Sequence, residues 1–226
     1  MKPWTLMKLP EPETLRRQMI LLAVLDIICC GEEWLRVHRY DPDFRPGVQL
    51  GIVENGAGDH LYVLFTADGC VLKGFDHESP LSPHARDEYE VWPGMYEGLP
   101  DNLQSVLHSS GDTLEAEEVT FCLWQENGKP VWMCGEWGEL DNKEAESGGT
   151  DFLLGYLNET PEDYIEWAND YFSGLQPLPL EPVRHLFNGG PVTEGLIAAI
   201  NPVRDELQAF NELGKLLELL NQNTQI

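Results

Sequence analysis

The chain has 226 residues, 39 of them acidic and 14 basic, for a formal net charge of -25. A field of that sign excludes nucleic acid and anionic membrane as electrostatic partners and attracts cationic ones. A hydrophobic content of 42% with seven Trp excludes wholesale disorder, and the length fits one large domain or one domain with a helical appendage.

The charge is one-sided. Residues 1–46 carry seven acids and seven bases, whereas residues 47–226 carry 32 and seven. The five cysteines, Cys29, Cys30, Cys70, Cys122 and Cys134, form no C-x-x-C pair and have apolar neighbours, which reads as buried free thiols in a reducing compartment. The apolar run from Met19 to Cys30 is too short to span a bilayer and is interrupted by Asp26, and no basic region of a secretory signal precedes it. The expectation is a cytoplasmic protein.

In chain order, residues 1–12 read as a flexible arm. A helix is predicted from Glu13 to Cys30, with Gly31 as its stop. It is apolar nearly all round and so requires cover on more than one side. Alternation predicts a strand from Trp34 to Tyr40, followed by turn chemistry at Asp41-Pro42-Asp43 and Arg45-Pro46-Gly47. Strands then follow at Val48–Glu54, His60–Thr66 and Cys70–Phe75, joined by the loop Asn55–Asp59 and the turn at Asp68-Gly69, which implies an antiparallel meander.

From Gly74 to Leu103 the chain is rich in proline and glycine but also in aromatics. This predicts an ordered loop held against a core, with Gly74, Trp92, Pro93, Gly94, Gly98 and Pro100 as its structural residues. A short helix is expected near Asn102–His108 and a turn at Ser109–Asp112. A strand from Val119 to Gln125 and an Asn127-Gly128 hairpin turn come next. The partner strand, Pro130–Gly135, has a proline near its start that places it at a sheet edge. Residues 138–150 are polar. Asp151–Leu157 reads as a short helix. Thr160-Pro161-Glu162-Asp163 opens another, with Tyr164, Trp167, Ala168 and Tyr171 on one face. Leu175–Pro182 reads as an extended connector and Thr193–Ile200 as a helix. A last helix, capped by Asn201-Pro202, runs to about Leu220, with Val203, Leu207, Phe210, Leu213, Leu217 and Leu220 as its stripe. Residues 201–220 therefore either dock on the domain or pair with a partner chain.

The chemistry-bearing cluster is Asp76, His77, Glu78 and His84, with Asp87 and Glu88 nearby. Histidine and carboxylate donors suit zinc or manganese, and the same groups suit acid–base work. The bland alternative is that the carboxylates accept backbone N–H bonds and brace a proline-rich turn. There is no G-x-S-x-G, and Ser79 and Ser82 lie beside prolines. The loop Asn55–Asp59 lacks the following helix and the Lys-Ser/Thr pair of a phosphate cradle. No cofactor is expected. Residues 111–170 hold 16 acids against two bases, Lys129 and Lys143. Local charge nominates Glu115, Glu117, Glu118, Glu136 and Glu139 as contacts for a basic partner.

With G-D-H-L-Y-V-L-F (58–65), D-G-C-V-L-K-G-F-D-H-E-S (68–79), W-P-G-M-Y-E-G-L-P (92–100) and V-T-F-C-L-W-Q-E (119–126), the chain resembles an uncharacterised family of stand-alone bacterial proteins. The resemblance runs from about Trp34 to Asp205 and brings no catalytic residues with it. On the order of its parts and its acidity, the chain is also similar to SUKH-type immunity proteins, which implies a role in neutralising a basic toxin or nuclease.

The expected fold is therefore α+β: an antiparallel sheet of about six strands with N-terminal and C-terminal helices packed on it, residues 13–200 forming one domain. The expected function is non-enzymatic binding of a basic protein such as a toxin. The alternatives are a metal-dependent hydrolase or metal-binding protein using Asp76, His77, Glu78 and His84, and a structural protein self-associating through residues 201–220.

Overall fold

A computed structural model describes residues 9–109, 113–136, 148–172 and 176–222. Six strands form one sheet in sequence order: β1 (His38–Arg45), β2 (Val48–Glu54), β3 (His60–Thr66), β4 (Gly69–Phe75), β5 (Phe121–Glu126) and β6 (Met133–Cys134). Every described pairing from β2 to β6 is antiparallel. Seven α-helices accompany them among the described residues: α1 (Pro12–Cys29), α2 (Asp101–His108), α3 (Thr150–Gly155), α4 (Pro161–Tyr171), α5 (Leu180–Phe187), α6 (Glu194–Ile200) and α7 (Glu206–Gln222). The fold is α+β, as the sequence predicts, with helices at both ends of the chain.

The central strands carry the core. All seven positions of β4 are buried, and β3 is buried from His60 to Phe65, so both faces of this part of the sheet are covered. Gly74 in β4 is required by a close approach: a Cβ there would lie 2.1 Å from Phe121 Cζ, whose residue is its cross-strand partner. From Met19 onward α1 is buried on every side, in keeping with its unbroken apolar character. Cys29, Cys30, Cys70 and Cys122 are buried thiols, Cys134 is half-buried, and all five are free.

Three sequence expectations are corrected. The first strand does not begin at Trp34. Residues Glu33–Leu35 form a 3-10 turn with Trp34 79% exposed, and the strand starts at His38 and runs through Asp41-Pro42-Asp43. Because β1 ends the sheet order, Pro42 can sit in it without breaking a ladder on both sides. The connector expected over Leu175–Pro182 becomes helix from Leu180, with Pro182 in the first turn, where backbone N–H groups have no helical acceptor in any case. Asn201 does not cap the last helix. It is buried, and its amide donates to the carbonyls of Ile28 and Cys29 at the end of α1. The β5–β6 turn at Asn127-Gly128 forms as expected, but β6 pairs only at Cys134 and Met133. The polar stretch 138–147 and the end of the turn at Ser110–Asp112 lie outside the described residues, as do residues 1–8.

Contacts divide the chain into two compact units: Asp43–Tyr156 with the chain up to Arg16, and Arg17–Pro42 with Leu157–Ile226. In the first, α2 packs on β4 and α3 on β3. In the second, α4, α5, α6 and α7 pack in succession. There, Asp26 is fully buried and organises a polar core. Its Oδ2 accepts from the backbone N–H groups of Val37 (3.0 Å) and His38 (2.8 Å), its Oδ1 accepts from the Tyr164 hydroxyl (2.9 Å), and His38 Nδ1 lies 3.2 Å from both oxygens. Trp167 covers His38 edge-on at 4.8 Å. The aromatic face read on α4 is thus inward at Tyr164 and Ala168 and 36% exposed at Tyr171. Its N-terminus carries the expected cap, a reciprocal Thr160–Asp163 box with Pro161 following.

Candidate functional site

The loop after β4 opens on a carboxylate–histidine group. The His60↔Phe75 register brings the loop before β3 alongside the start of the long loop, and so Asp59 beside Asp76 and His77. Asp59 Oδ1 accepts from the His77 backbone N–H at 2.9 Å and from its ring Nδ1 at 2.7 Å, while Oδ2 accepts from Asn55 Nδ2 at 2.7 Å. Asp76 Oδ1 accepts from the Glu78 backbone N–H at 3.0 Å, a local turn of the kind short acidic side chains make. Burial would raise the Asp59 carboxyl, but the bonds from Asn55 and His77 outweigh it and hold it below its ordinary value. The hydrogen bond to Asp59 raises the half-exposed His77 imidazole, and burial raises Asp76.

One donor atom from each of Asp59, Asp76 and His77 falls within 4.8 Å of the others. Of the four residues nominated from sequence, the structure brings together Asp76 and His77. Glu78 is exposed, with its carboxylate 3.9 Å from His77 Nε2, and His84 lies elsewhere, its Nε2 3.1 Å from Glu118 Oε1. Asp87 and Glu88 are exposed. Asp59 was missed because it sits 17 positions upstream in a glycine-rich loop. Only the pairing register reveals it. A cation placed here would compete with the His77 ring N–H for Asp59 Oδ1. Two clefts, of about 470 and 660 Å³, are lined by neither Asp76, His77, Glu78 nor His84.

The rest of the loop is tied down by backbone bonds. Trp92, Gly94 and Tyr96 carbonyls accept from the N–H groups of Met95, Glu97 and Leu99, giving successive turns, and Arg86 lies 5.3 Å over the Trp92 ring. Met95 and Leu99 are buried, Pro93 is exposed, and Pro100 leads into α2. The Tyr96 hydroxyl donates to the Ala116 carbonyl at 2.5 Å, which joins this loop to the acidic turn at residues 113–118.

That turn gathers the sequence-nominated glutamates. Glu115 and Glu117 are exposed, and Glu118 is half-buried. Glu115 adopts φ 45°, a left-handed conformation uncommon for a residue other than glycine, and its carbonyl accepts from the Glu118 N–H at 2.8 Å. Beside the turn stands Tyr89, 50% exposed, its ring 5.0 Å from that of His84. Partial burial raises the Tyr89 phenol, and the charges of Glu118, Glu117 and Glu115 raise it further. The acidic turn thus reaches the exposed Tyr89 ring through His84, which bonds Glu118. Glu136 is exposed in the segment after β6, and Glu139 lies outside the described residues.

Under the turn lies a pair that sequence reading did not single out. Lys73, in the fully buried β4, is 0% exposed. Its Nζ lies 2.6 Å from His60 Nε2, donates to the Leu114 carbonyl at 2.9 Å, and sits 5.1 Å over the Tyr62 ring. His60 stacks on Tyr62 at 4.6 Å and turns its Nδ1 to within 3.5 Å of Glu115 Oε2. Burial lowers Lys73 to about 7, against the opposing pull of Glu115 and Glu118. Burial, then the Lys73 charge, lowers His60 to about 3. The sequence signal was the single lysine in an otherwise apolar strand.

Among the described residues no helix is long and apolar enough to cross a membrane. No family model matches this chain, and neither a curated protein nor a solved structure does.

Proposed function

We propose that this is a non-enzymatic binding protein whose acidic surface engages a basic protein, in the manner of an immunity protein that neutralises a toxin or nuclease. The observation that carries the reading is the exposed Tyr89 ring standing 5.0 Å from His84, whose Nε2 meets Glu118 of the acidic turn at 3.1 Å. Carboxylates attract a lysine or arginine by charge, and an aromatic face adds cation–π attraction. The whole-chain charge of -25 would steer a basic partner toward the chain from a distance. The hydrogen bonds of Asp59, Asp76 and His77 support a bracing role for that group, which leaves the enzyme reading with less to stand on.

The test is capture by the immobilised chain from lysate, compared with a Glu115→Lys/Glu117→Lys variant. The reading predicts a basic protein held at low salt, released as salt rises and not retained by the variant. A variant that retains everything the native chain retains would contradict it.

The alternative of a metal-binding protein is favoured by one feature, the three donors within 4.8 Å. It predicts zinc or manganese in protein purified without chelator, and its loss in His77→Ala. Metal-free native protein that takes up neither ion on titration would remove that reading.

A further inference from the structure

We propose that the larger cleft, of about 660 Å³, is a docking groove for a basic amphipathic helix of a partner protein. The proposal rests on the binding reading for the sign of the partner's charge and adds an apolar anchor to it. Every residue lining the cleft belongs to the unit of Arg17–Pro42 and Leu157–Ile226. Its walls include the buried Cys29, Cys30 and Phe172 and the half-buried Leu35. Tyr171 and Val203 line it as well, 36% and 83% exposed. Two more exposed apolar side chains adjoin lining residues: Trp34, next to Leu35, is 79% exposed, and Leu207, next to Gln208, is 64% exposed. Single exposed apolar residues are ordinary on a protein surface, but four at and beside one cleft make the kind of patch a partner covers. Tyr171 is already held, stacked on Trp167 at 5.2 Å and edge-on to Phe172 at 5.1 Å, so it has little freedom left to lose on binding.

Charge selects the occupant. The segments that form the cleft, residues 29–36, 170–172 and 201–208, carry Glu32, Glu33, Asp170, Asp205 and Glu206, all exposed. Their two bases, Arg36 and Arg204, are buried and share Glu212 at 2.5 and 2.8 Å. The exposed charge of these segments is therefore all negative, which attracts lysine and arginine. A second copy of this chain would set the same acids against themselves, with a net charge of -25 on each chain. Backbone chemistry selects the helix. The carbonyls at the end of α1 are already taken: Ile27 by Arg204, Ile28 and Cys29 by Asn201, Cys30 and Gly31 by Arg36. No strand lines the cleft among the described residues. An extended segment would find no ladder to join, whereas a helix satisfies its own backbone groups and brings only side chains.

The docked helix would lay its apolar face on Trp34, Tyr171, Val203 and Leu207 and turn its lysines toward Glu32, Glu33, Asp205 and Glu206. The two sets of contacts separate by experiment. Removing apolar contact weakens binding at every salt concentration, whereas neutralising the acids flattens the salt dependence. All these side chains are exposed, so substituting them leaves the fold in place.

The probe is a synthetic peptide of about 18 residues, roughly five helical turns, with leucines on one face and lysines on the other. Its control carries glutamate in place of lysine. Titration calorimetry reads affinity, and acrylamide quenching of tryptophan fluorescence reads cover over Trp34, whose share Trp34→Phe identifies. The leucine–lysine peptide is expected to bind the native chain, more weakly as salt rises, and to shield a tryptophan that Trp34→Phe lacks. Val203→Ser/Leu207→Ser should weaken it at least about tenfold at every salt concentration, and Glu32→Gln/Glu33→Gln/Asp205→Asn should flatten its salt dependence. Glu115→Lys/Glu117→Lys should leave the shielding of Trp34 intact. Absence of binding overturns the proposal, as does equal binding of the glutamate peptide or affinity unchanged in Val203→Ser/Leu207→Ser. A native dimer by light scattering that dissociates in that variant gives the face to a second copy and overturns it too. Binding lost only in Glu115→Lys/Glu117→Lys, with Trp34 still quenchable, overturns the groove while leaving the acidic-turn reading standing.

Discussion

At the scale of single residues, several buried ionisable groups are committed to protein partners, and each commitment has a measurable consequence. Asp26 accepts from two backbone N–H groups and the Tyr164 hydroxyl and lies against the His38 ring. Asp26→Ala would strand several buried donors at once and is expected to cost about 3–5 kcal/mol. Tyr164→Phe removes one bond while keeping the ring and should cost about 1–2 kcal/mol. Denaturant unfolding of the two variants checks the ranking, and equal costs would contradict it.

The His77–Asp59 pair makes a prediction in pH. His77 is raised by its bond to Asp59, so its contribution is complete below its unfolded value of about 6.5 and is lost as pH rises through the folded value. Asp59 is lowered, so its contribution is present above its unfolded value of about 3.9 and is lost as pH falls through the folded one. The difference in melting temperature between native chain and His77→Gln should therefore be largest near pH 5–6 and shrink toward pH 8. A difference that grows with pH would show that Asp59 is not the histidine's partner.

At the scale of elements, the end of α1 illustrates what a linear reading misses. That helix has no basic residue in its last turn, yet its final carbonyls need donors and its dipole favours positive charge there. Distant residues supply both. Asn201 donates to Ile28 and Cys29, Arg204 to Ile27, and Arg36 to Cys30 and Gly31. Glu212 on α7 bridges the two guanidinium groups, at 2.5 Å from Arg36 and 2.8 Å from Arg204. Glu212→Ala should cost about 2 kcal/mol or more, since it leaves two largely buried cations without their shared carboxylate, and urea unfolding measures it.

The same element shows where pattern reading drifts. Of the stripe expected on the last helix, Leu213 is buried and so is Leu216 beside it, but Val203, Leu207 and Phe210 are 83%, 64% and 36% exposed and Ala209, outside the stripe, is buried. A kink at Gly214, with φ 28° and ψ -110°, changes the face presented after it. By contrast β2 and β3 were legible residue for residue, because an apolar pattern bounded by glycine-rich turns has one reading. β1 was not, because Asp41-Pro42-Asp43 has turn chemistry and only a position at the sheet end lets it extend. Within the candidate site, Asp76 and His77 were legible from their crowding. Asp59, Lys73 and His60 were not, because strand register alone makes them neighbours.

At the scale of the whole molecule, several basic side chains among the described residues are held by intramolecular partners. Arg36 and Arg204 hold the end of α1, Arg184 pairs with Glu162 and Glu181, Lys129 with Glu126, and Lys73 is sealed under the turn. The exposed glutamates at 115 and 117 stand on a chain whose formal net charge is -25. Such a surface speeds encounter with a basic protein and makes the complex sensitive to salt. Self-association through residues 201–220 is a separate matter. Light scattering of a Val203→Ser/Leu207→Ser variant beside the native chain decides it, because that alternative requires the native chain to be larger than a monomer and the variant to dissociate.

The most direct measurement is the affinity of the captured basic partner at two salt concentrations, by titration calorimetry, for the native chain and for Glu115→Gln/Glu117→Gln with Tyr89→Ala. The account predicts that the native chain binds more weakly as salt rises, and that the triple variant binds at least about tenfold more weakly at low salt with a flatter salt dependence. Equal affinity and equal salt dependence in the two proteins would contradict it.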